Sequence, residues 1–249
     1  MKKLRRLTEA EVIAEFLRNE FHERDYDRDR AMFDKVVRSP DLNDHTENAL
    51  RRALLFRRRG HMWRELPADT QWWELELDPA DLARVRVFPR AQWSRIARGS
   101  YYLADIAKQL RERGARLERR EQRMAAKLRG IGAALSTERS RSTVLLVGVD
   151  ERRPLLILEG NHRLTAALLR SPALAARHFR VVCGFSPRMT RNCWYRTDLP
   201  NLWRYAKNRL RNLVDREADV YRVLESAKPP RALHEGAGVP AFTQKAETK

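Results

Sequence analysis

Apolar residues in the first part of the chain recur at helical spacing. Val12, Ile13, Phe16, Leu17 and Phe21 form one stripe, and Thr8 followed by Glu11 carries the residues of a capping box, so a helix is expected over about 8–22. A second helical segment covers about 29–38 and ends at Ser39-Pro40, where proline disfavours helix in the residue before it. A third, about 44–58, turns Leu50, Leu54 and Leu55 inward and the arginines of "RRALLFRRR" outward, with Gly60 as its expected stop. The period then drops to two. Trp73, Leu75 and Leu77 alternate with Glu74, Glu76 and Asp78, as in a half-buried strand, and Val85 and Val87 mark a second short strand. Pro89 opens a helix over about 90–98 that ends at Gly99.

Residues 103–128 return to helical spacing, as one long helix or two interrupted at Gly114. Two apolar runs follow, 143–149 and 154–158, and the Asp-centred turn between them predicts a hairpin. A helix over 161–170 sends Leu164, Ala167 and Leu168 inward, and "HFRVVCGFS" reads as another strand. Strand, helix, strand in that order predicts a βαβ unit within a mixed or partly parallel sheet. A loop leads to one helix over about 201–226 with Leu202, Tyr205, Ala206, Leu210 and Leu213 on one side, and the residues from 228 onward lack periodicity. The fold class is therefore α/β (α+β), with helical additions at both ends of a small mixed sheet. The units expected are a basic helical region 1–60, an α/β domain 61–185, a loop plus helix 186–227 and a tail 228–249.

Composition changes this picture in three ways. Lys and Arg number 51 against 33 Asp and Glu in 249 residues, a formal charge of +18, and such a field attracts polyanions, nucleic acid among them. The face of 103–128 carrying Lys108, Arg111, Arg113, Arg116, Arg119, Arg120, Arg123 and Lys127 is either a solvated surface or a ridge that contacts phosphate. No apolar run reaches membrane-span length and no secretory leader is visible, so a cytoplasmic protein without a membrane partner is expected. Cys183 and Cys193 lack zinc spacing and read as unpaired thiols. Trp63, Trp72, Trp73, Trp93, Trp194 and Trp203 read as packing residues.

The candidate chemistry sits in "LLILEGNHRLTAALL", residues 155–169, where a strand runs into a helix through an acid, a glycine, an amide, an imidazole and a guanidinium. Gly160 lets the backbone approach a ligand, and the first turn of the helix offers unpaired amides and the positive end of its dipole. Arg163 can clamp phosphate oxygens, His162 can donate to the same anion, and Asn161 is a good N-cap. Glu159 makes sense as a Mg²⁺ ligand or as a base acting on a hydroxyl. The structural alternative has Asn161 capping the helix, His162 bonded within the sheet and Arg163 paired with Glu159. Thr165 in the same helix and Arg188 and Arg191 in the loop after the last strand are further candidates for phosphate contact. That loop is a candidate cover for the site, with Ser186, Thr190, Asn192 and Tyr195 as further candidates for substrate or phosphate contact.

The stretch, with the strand "FRVVCG" after it, resembles the ParB/sulfiredoxin superfamily over about 143–184, and more weakly over 72–106. The resemblance implies a ParB/sulfiredoxin-like sheet whose turn binds a nucleoside tri- or diphosphate, ATP or ADP before CTP, with Mg²⁺. Within that superfamily sulfiredoxins carry a reactive cysteine where Asn161 stands, and partition proteins continue into a helix-turn-helix that is not evident after residue 184. Kinase members, which phosphorylate a small hydroxyl substrate, fit Glu159, Gly160 and His162 best, with Glu159 and His162 as catalytic residues. The other reading is a non-catalytic or nucleotide-switched DNA- or RNA-binding protein. A Fic-type phosphate loop does not fit, because Leu155 stands where its catalytic histidine is needed.

Overall fold

In a computed structural model the described residues are 1–88, 91–137, 142–214 and 218–227. Strand β1 (Lys2–Leu7) leads into helix α1 (Glu9–Glu20), then α2 (Asp27–Arg38) and α3 (His45–Trp63). Strand β2 (Gln71–Glu76), the short α4 (Pro79–Leu82), β3 (Val85–Arg86) and α5 (Ala91–Ile96) follow, and then α6 (Leu103–Arg113) and α7 (Arg119–Thr137). Next come the hairpin β4 (Thr143–Gly148) and β5 (Leu155–Glu159), α8 (Asn161–Arg170), α9 (Pro172–His178) and β6 (Arg180–Phe185). Helices α10 (Leu199–Arg211) and α11 (Val220–Ala227) complete the described chain.

The six strands form one mixed sheet in the order β1-β2-β6-β4-β5-β3. β4 lies inside it, parallel to β6 and antiparallel to β5. Its unbroken run Val144, Leu145, Leu146, Val147 follows from burial on both faces, since successive side chains point to opposite sides. Val144 and Leu146 join the core under α6, α7 and α8, while Leu145 and Val147 join the one under α1 and α3. The molecule is thus a sheet between two helical layers, with mixed α/β architecture as expected.

The Thr8–Glu11 capping box at α1 is present in both directions, with Glu11 N–H donating to Thr8 and Thr8 N–H donating to Glu11. Gly114, at φ +43°, separates α6 from α7. Trp63, Trp72 and Trp93 are buried, and both cysteines are free and buried, with burial pushing the Cys193 thiol up to about 12.

Several expectations need correction. β1 was not foreseen, because KKLRRL has no alternation; it exists by pairing with β2, and its charged exposed side suits a sheet edge. α3 runs through Gly60 to Trp63, where packing overrides the glycine signal. Its arginines are not all outward: Arg51 is fully buried and bonded to Glu47, Asn48 and two backbone carbonyls, while Arg57 pairs with Asp29 and Arg59 with Glu20. β5 and β6 are not a parallel βαβ pair, because β4 lies between them and they run in opposite directions. The expected helix 201–226 is α10 and α11, and Leu202, Trp203, Leu210 and Leu213 are exposed instead of packed. Pro89 and the segment from 228 onward lie outside the described residues.

Candidate functional site

At the end of β5 the chain turns through Gly160, at φ +90°, into α8. A β-carbon there would lie 2.7 Å from Cγ1 of Val144, so the glycine is required by its own left-handed backbone and by close approach to β4. Gly160 is the N-cap, without a side-chain bond, and Asn161 is the first helical residue, where its Oδ1 accepts from the His162 N–H at 2.7 Å. The expected Asn161 cap is therefore displaced by one residue, because the left-handed turn at Gly160 already ends the strand. The His162 ring lies against Trp93 at 5.4 Å. Thr165 is fully buried and donates back to the Asn161 carbonyl at 2.6 Å, facing the interior of α8 and not the turn.

Glu159 and Arg163 form an ion pair at 2.6 Å, with side chains 11% and 24% exposed. Burial pushes the Glu159 carboxyl up to about 7; Arg163 pulls it down and Glu20 pushes it further up, but desolvation is the larger effect. Helix α1 reaches into this turn. Asn19 donates to Glu159 at 3.2 Å and to the Thr143 carbonyl at 3.0 Å, and Thr143 donates its hydroxyl to Glu15 at 2.9 Å. Arg163 uses Nη2 on Glu159 and on the Thr143 carbonyl. Among the described residues its Nε has no acceptor, and Nη1 has a single contact, 3.4 Å to Asn19. Nη2 is thus committed to the protein, while Nε has no acceptor among the described residues.

The loop after β6 stands elsewhere. β4 and β6 are parallel and β5 opposes both, so Glu159 lies near the start of β4 while Phe185 pairs with Gly148 at its end. Glu159 pairs with Leu145 and Phe185 with Gly148, so three residues at roughly 3.3 Å each part them by about 10 Å along the strand, with β4 standing between them. Arg188 and Arg191 are therefore not brought to the turn. Arg188 pairs with Asp69 at 3.0 Å and Arg191 is exposed. Ser186 donates to Asp69, Tyr195 donates to the Pro154 carbonyl, the Thr190 carbonyl accepts from Asn201, and Asn192 is buried with its Oδ1 accepting from Trp194 N–H, so these residues anchor the loop and do not cover the turn.

Asn19 and Glu15 were not singled out in the sequence. The available signal was their spacing: four residues apart, they border the apolar stripe of α1, where a polar side chain is half-buried and must find partners. Comparison with protein-family models, curated proteins and solved structures gives no match for this chain.

Among the described residues no group of three or more His, Cys, Asp and Glu side chains is placed to hold a metal ion. Within the same residues no helix is long and apolar enough to cross a membrane.

Proposed function

We propose that the Glu159–Arg163 turn binds the phosphates of a nucleotide, and that the protein is a ParB/sulfiredoxin-like phosphotransferase or nucleoside triphosphatase. The observation that carries the reading is the half-committed Arg163. Glu159 and the Thr143 carbonyl engage its Nη2, Nη1 has among the described residues only the 3.4 Å contact to Asn19, and the residue sits in the first turn of α8, where helix amides favour an anion. ATP or ADP is the favoured ligand, with CTP as the alternative base. With one carboxylate at hand, Glu159 fits Mg²⁺ as it is commonly held, through one or two acids plus phosphate oxygens.

In the alternative role, in which Glu159 does not hold Mg²⁺, a carboxyl near 7 is suited to take a proton from a hydroxyl. In the transfer reading Glu159 accepts the proton of a small hydroxyl substrate. The hydroxyl oxygen bonds to the terminal phosphorus, the bond from that phosphorus to its bridging oxygen breaks, and the nucleoside diphosphate leaves with those electrons. Arg163 offsets charge on the phosphate oxygens, with His162 beside it as a second donor.

The test is thermal shift against ATP, ADP, CTP and GTP with and without Mg²⁺, on wild type, Arg163→Ala and Glu159→Gln. The expected result is stabilisation of wild type by one nucleotide that Arg163→Ala abolishes. Glu159→Gln retains binding and loses turnover. Equal shifts in wild type and Arg163→Ala would sink the assignment.

The alternative reading, a DNA- or RNA-binding protein, is favoured by one feature. Arg116, Arg119, Arg120, Arg123, Lys127 and Arg129 are all exposed, with several one helical turn apart on α7, unlike the internally engaged arginines of α3. Arg113 is the exception, held bidentately by Glu121 at 3.1 and 2.8 Å. This reading predicts duplex binding that weakens steeply with salt and is lost in Arg120→Glu/Arg123→Glu while Arg163→Ala leaves it intact.

A further inference from the structure

Helix α10 holds its polar side against the protein. Asn201 is buried, and its side-chain amide donates to the Arg196 carbonyl at 2.8 Å and to the Thr190 carbonyl at 3.1 Å. Asn208, two turns further on, donates to the buried Glu65 at 2.6 Å. Between them the Tyr205 ring lies edge-on to His61 and Trp194, with ring centres 5.9 and 5.7 Å away. Positions 201, 205 and 208 share one face at helical spacing, and these contacts set that face on α3 and on the loop after β6.

The apolar side chains therefore point outward. Leu199 is 82% exposed, Trp203 74% and Leu210 67%, and Ala206 in the same row is exposed as well. Leu213 and Val214, in the short turn after the helix, are 78% and 80% exposed. Scattered apolar residues are ordinary on a protein surface. A continuous row with asparagines packed behind it reverses the usual arrangement of a surface helix.

Spacing and charge identify what would cover the row. Leu199, Trp203, Ala206 and Leu210 follow at intervals of four, three and four residues, the step of a seam between two helices. At about 100° per residue the row is about 60° wide, and Lys207 and Arg209 stand roughly 80° to either side of Leu199. No acid occurs from Leu199 to Val214 in the sequence, and among the described residues Lys207 and Arg209 form no ion pair.

We propose that this face is the docking site for an acidic amphipathic helix of a partner protein. The partner presents an apolar row to Leu199, Trp203 and Leu210, with aspartates or glutamates beside it to meet Lys207 and Arg209. Trp203 is the anchor, a large side chain with most of its surface left to bury. A second copy of this chain fits poorly, because pairing α10 with itself in either direction sets Lys207 and Arg209 against the same two cations. A lipid surface calls for a wider apolar face than a seam bordered so closely by charge. The face contains none of the residues of the Glu159–Arg163 turn.

Fluorescence anisotropy of labelled synthetic peptides tests this on the full chain at low salt. The probe is a peptide of three heptads with leucine at both seam positions and glutamate beside them, and its counterpart carries lysine in place of glutamate. Wild type is expected to bind the glutamate peptide at least about tenfold more tightly than the lysine peptide. Trp203→Ala/Leu210→Ala weakens binding by a similar factor, with the melting temperature unchanged because both side chains are exposed. Lys207→Glu/Arg209→Glu reverses the preference between the two peptides. Equal affinity of wild type for both peptides overturns the proposal. So does an affinity that Trp203→Ala/Leu210→Ala leaves unchanged, or an absence of binding. Two further measurements identify the other occupants. Binding to phosphatidylserine vesicles, without peptide binding and lost in Trp203→Ala/Leu210→Ala, overturns it in favour of a lipid surface. A dimer by light scattering that the same variant converts to monomer overturns it in favour of a second copy.

Discussion

Asn19 donates its side-chain amide to Glu159 at 3.2 Å, joining the first helix to a turn 140 residues further along the chain. The same amide donates to the Thr143 carbonyl, and its oxygen faces Arg163 at 3.4 Å. One small polar side chain thus bonds the acid, the base and the strand beside them. Asn19→Ala is expected to cost roughly 1–3 kcal/mol, because it removes two hydrogen bonds, one to a largely buried carboxylate, and leaves Arg163 as the other donor to both acceptors. Urea denaturation monitored by circular dichroism checks this, and stability equal to wild type would show that α1 does not support the turn.

The Glu159 carboxyl gives stability a definite dependence on pH. Its folded value, about 7, lies above its ordinary value of 4.5, so the folded state binds the proton more tightly than the unfolded state does. The favourable contribution is complete below about 4.5, is lost progressively as pH rises through about 7 and is constant from about one unit above that. The 2.6 Å pair with Arg163 reduces the effect without reversing it. The whole span amounts to something on the order of 3 kcal/mol. Glu159→Gln should flatten this part of the profile, so the difference in unfolding free energy between the two proteins changes between about pH 4.5 and about 8 and not above that. A parallel pair of profiles across the lower interval would rule out a raised carboxyl.

Gly160 and Val144 define the third expectation. Gly160→Ala meets two obstacles, the left-handed backbone and the Val144 methyl group at 2.7 Å, and together they should cost about 2–4 kcal/mol. Shortening Val144 relieves the second obstacle and leaves the first. A double-mutant cycle of Gly160→Ala with Val144→Ala should therefore show a favourable coupling between the two changes. If the costs simply add, the glycine serves its backbone angle alone and the approach to β4 is not tight.

How much of this was visible beforehand depended on where the controlling interaction lay. The capping box of Thr8 and Glu11, the hairpin around Asp150 and the break at Gly114 are each set within a few residues, and all were legible. The pairing of Glu159 with Arg163 is one helical turn long and was legible as the structural alternative. Asn19 was not, because a half-buried asparagine at the border of an apolar stripe carries no mark of its partner. Arg188 and Arg191 were grouped with the turn because they follow a strand, and strand direction, which places them at the other end of the sheet, cannot be read from the strand itself.

The sequence by itself determined the apolar runs, the helix starts and the strand-to-helix turn at Gly160, because these follow from side-chain periodicity and local backbone preference. It also determined the excess of positive charge. Tertiary structure alone decided that KKLRRL is a strand, since its hydrogen bonds come from β2. It decided equally that Arg51 lies buried while Arg6, Arg52, Arg64 and Arg211 gather around one cavity. The physical reason is that an arginine's charge is the same at every position, whereas its solvation and its neighbours are set by segments distant in the chain.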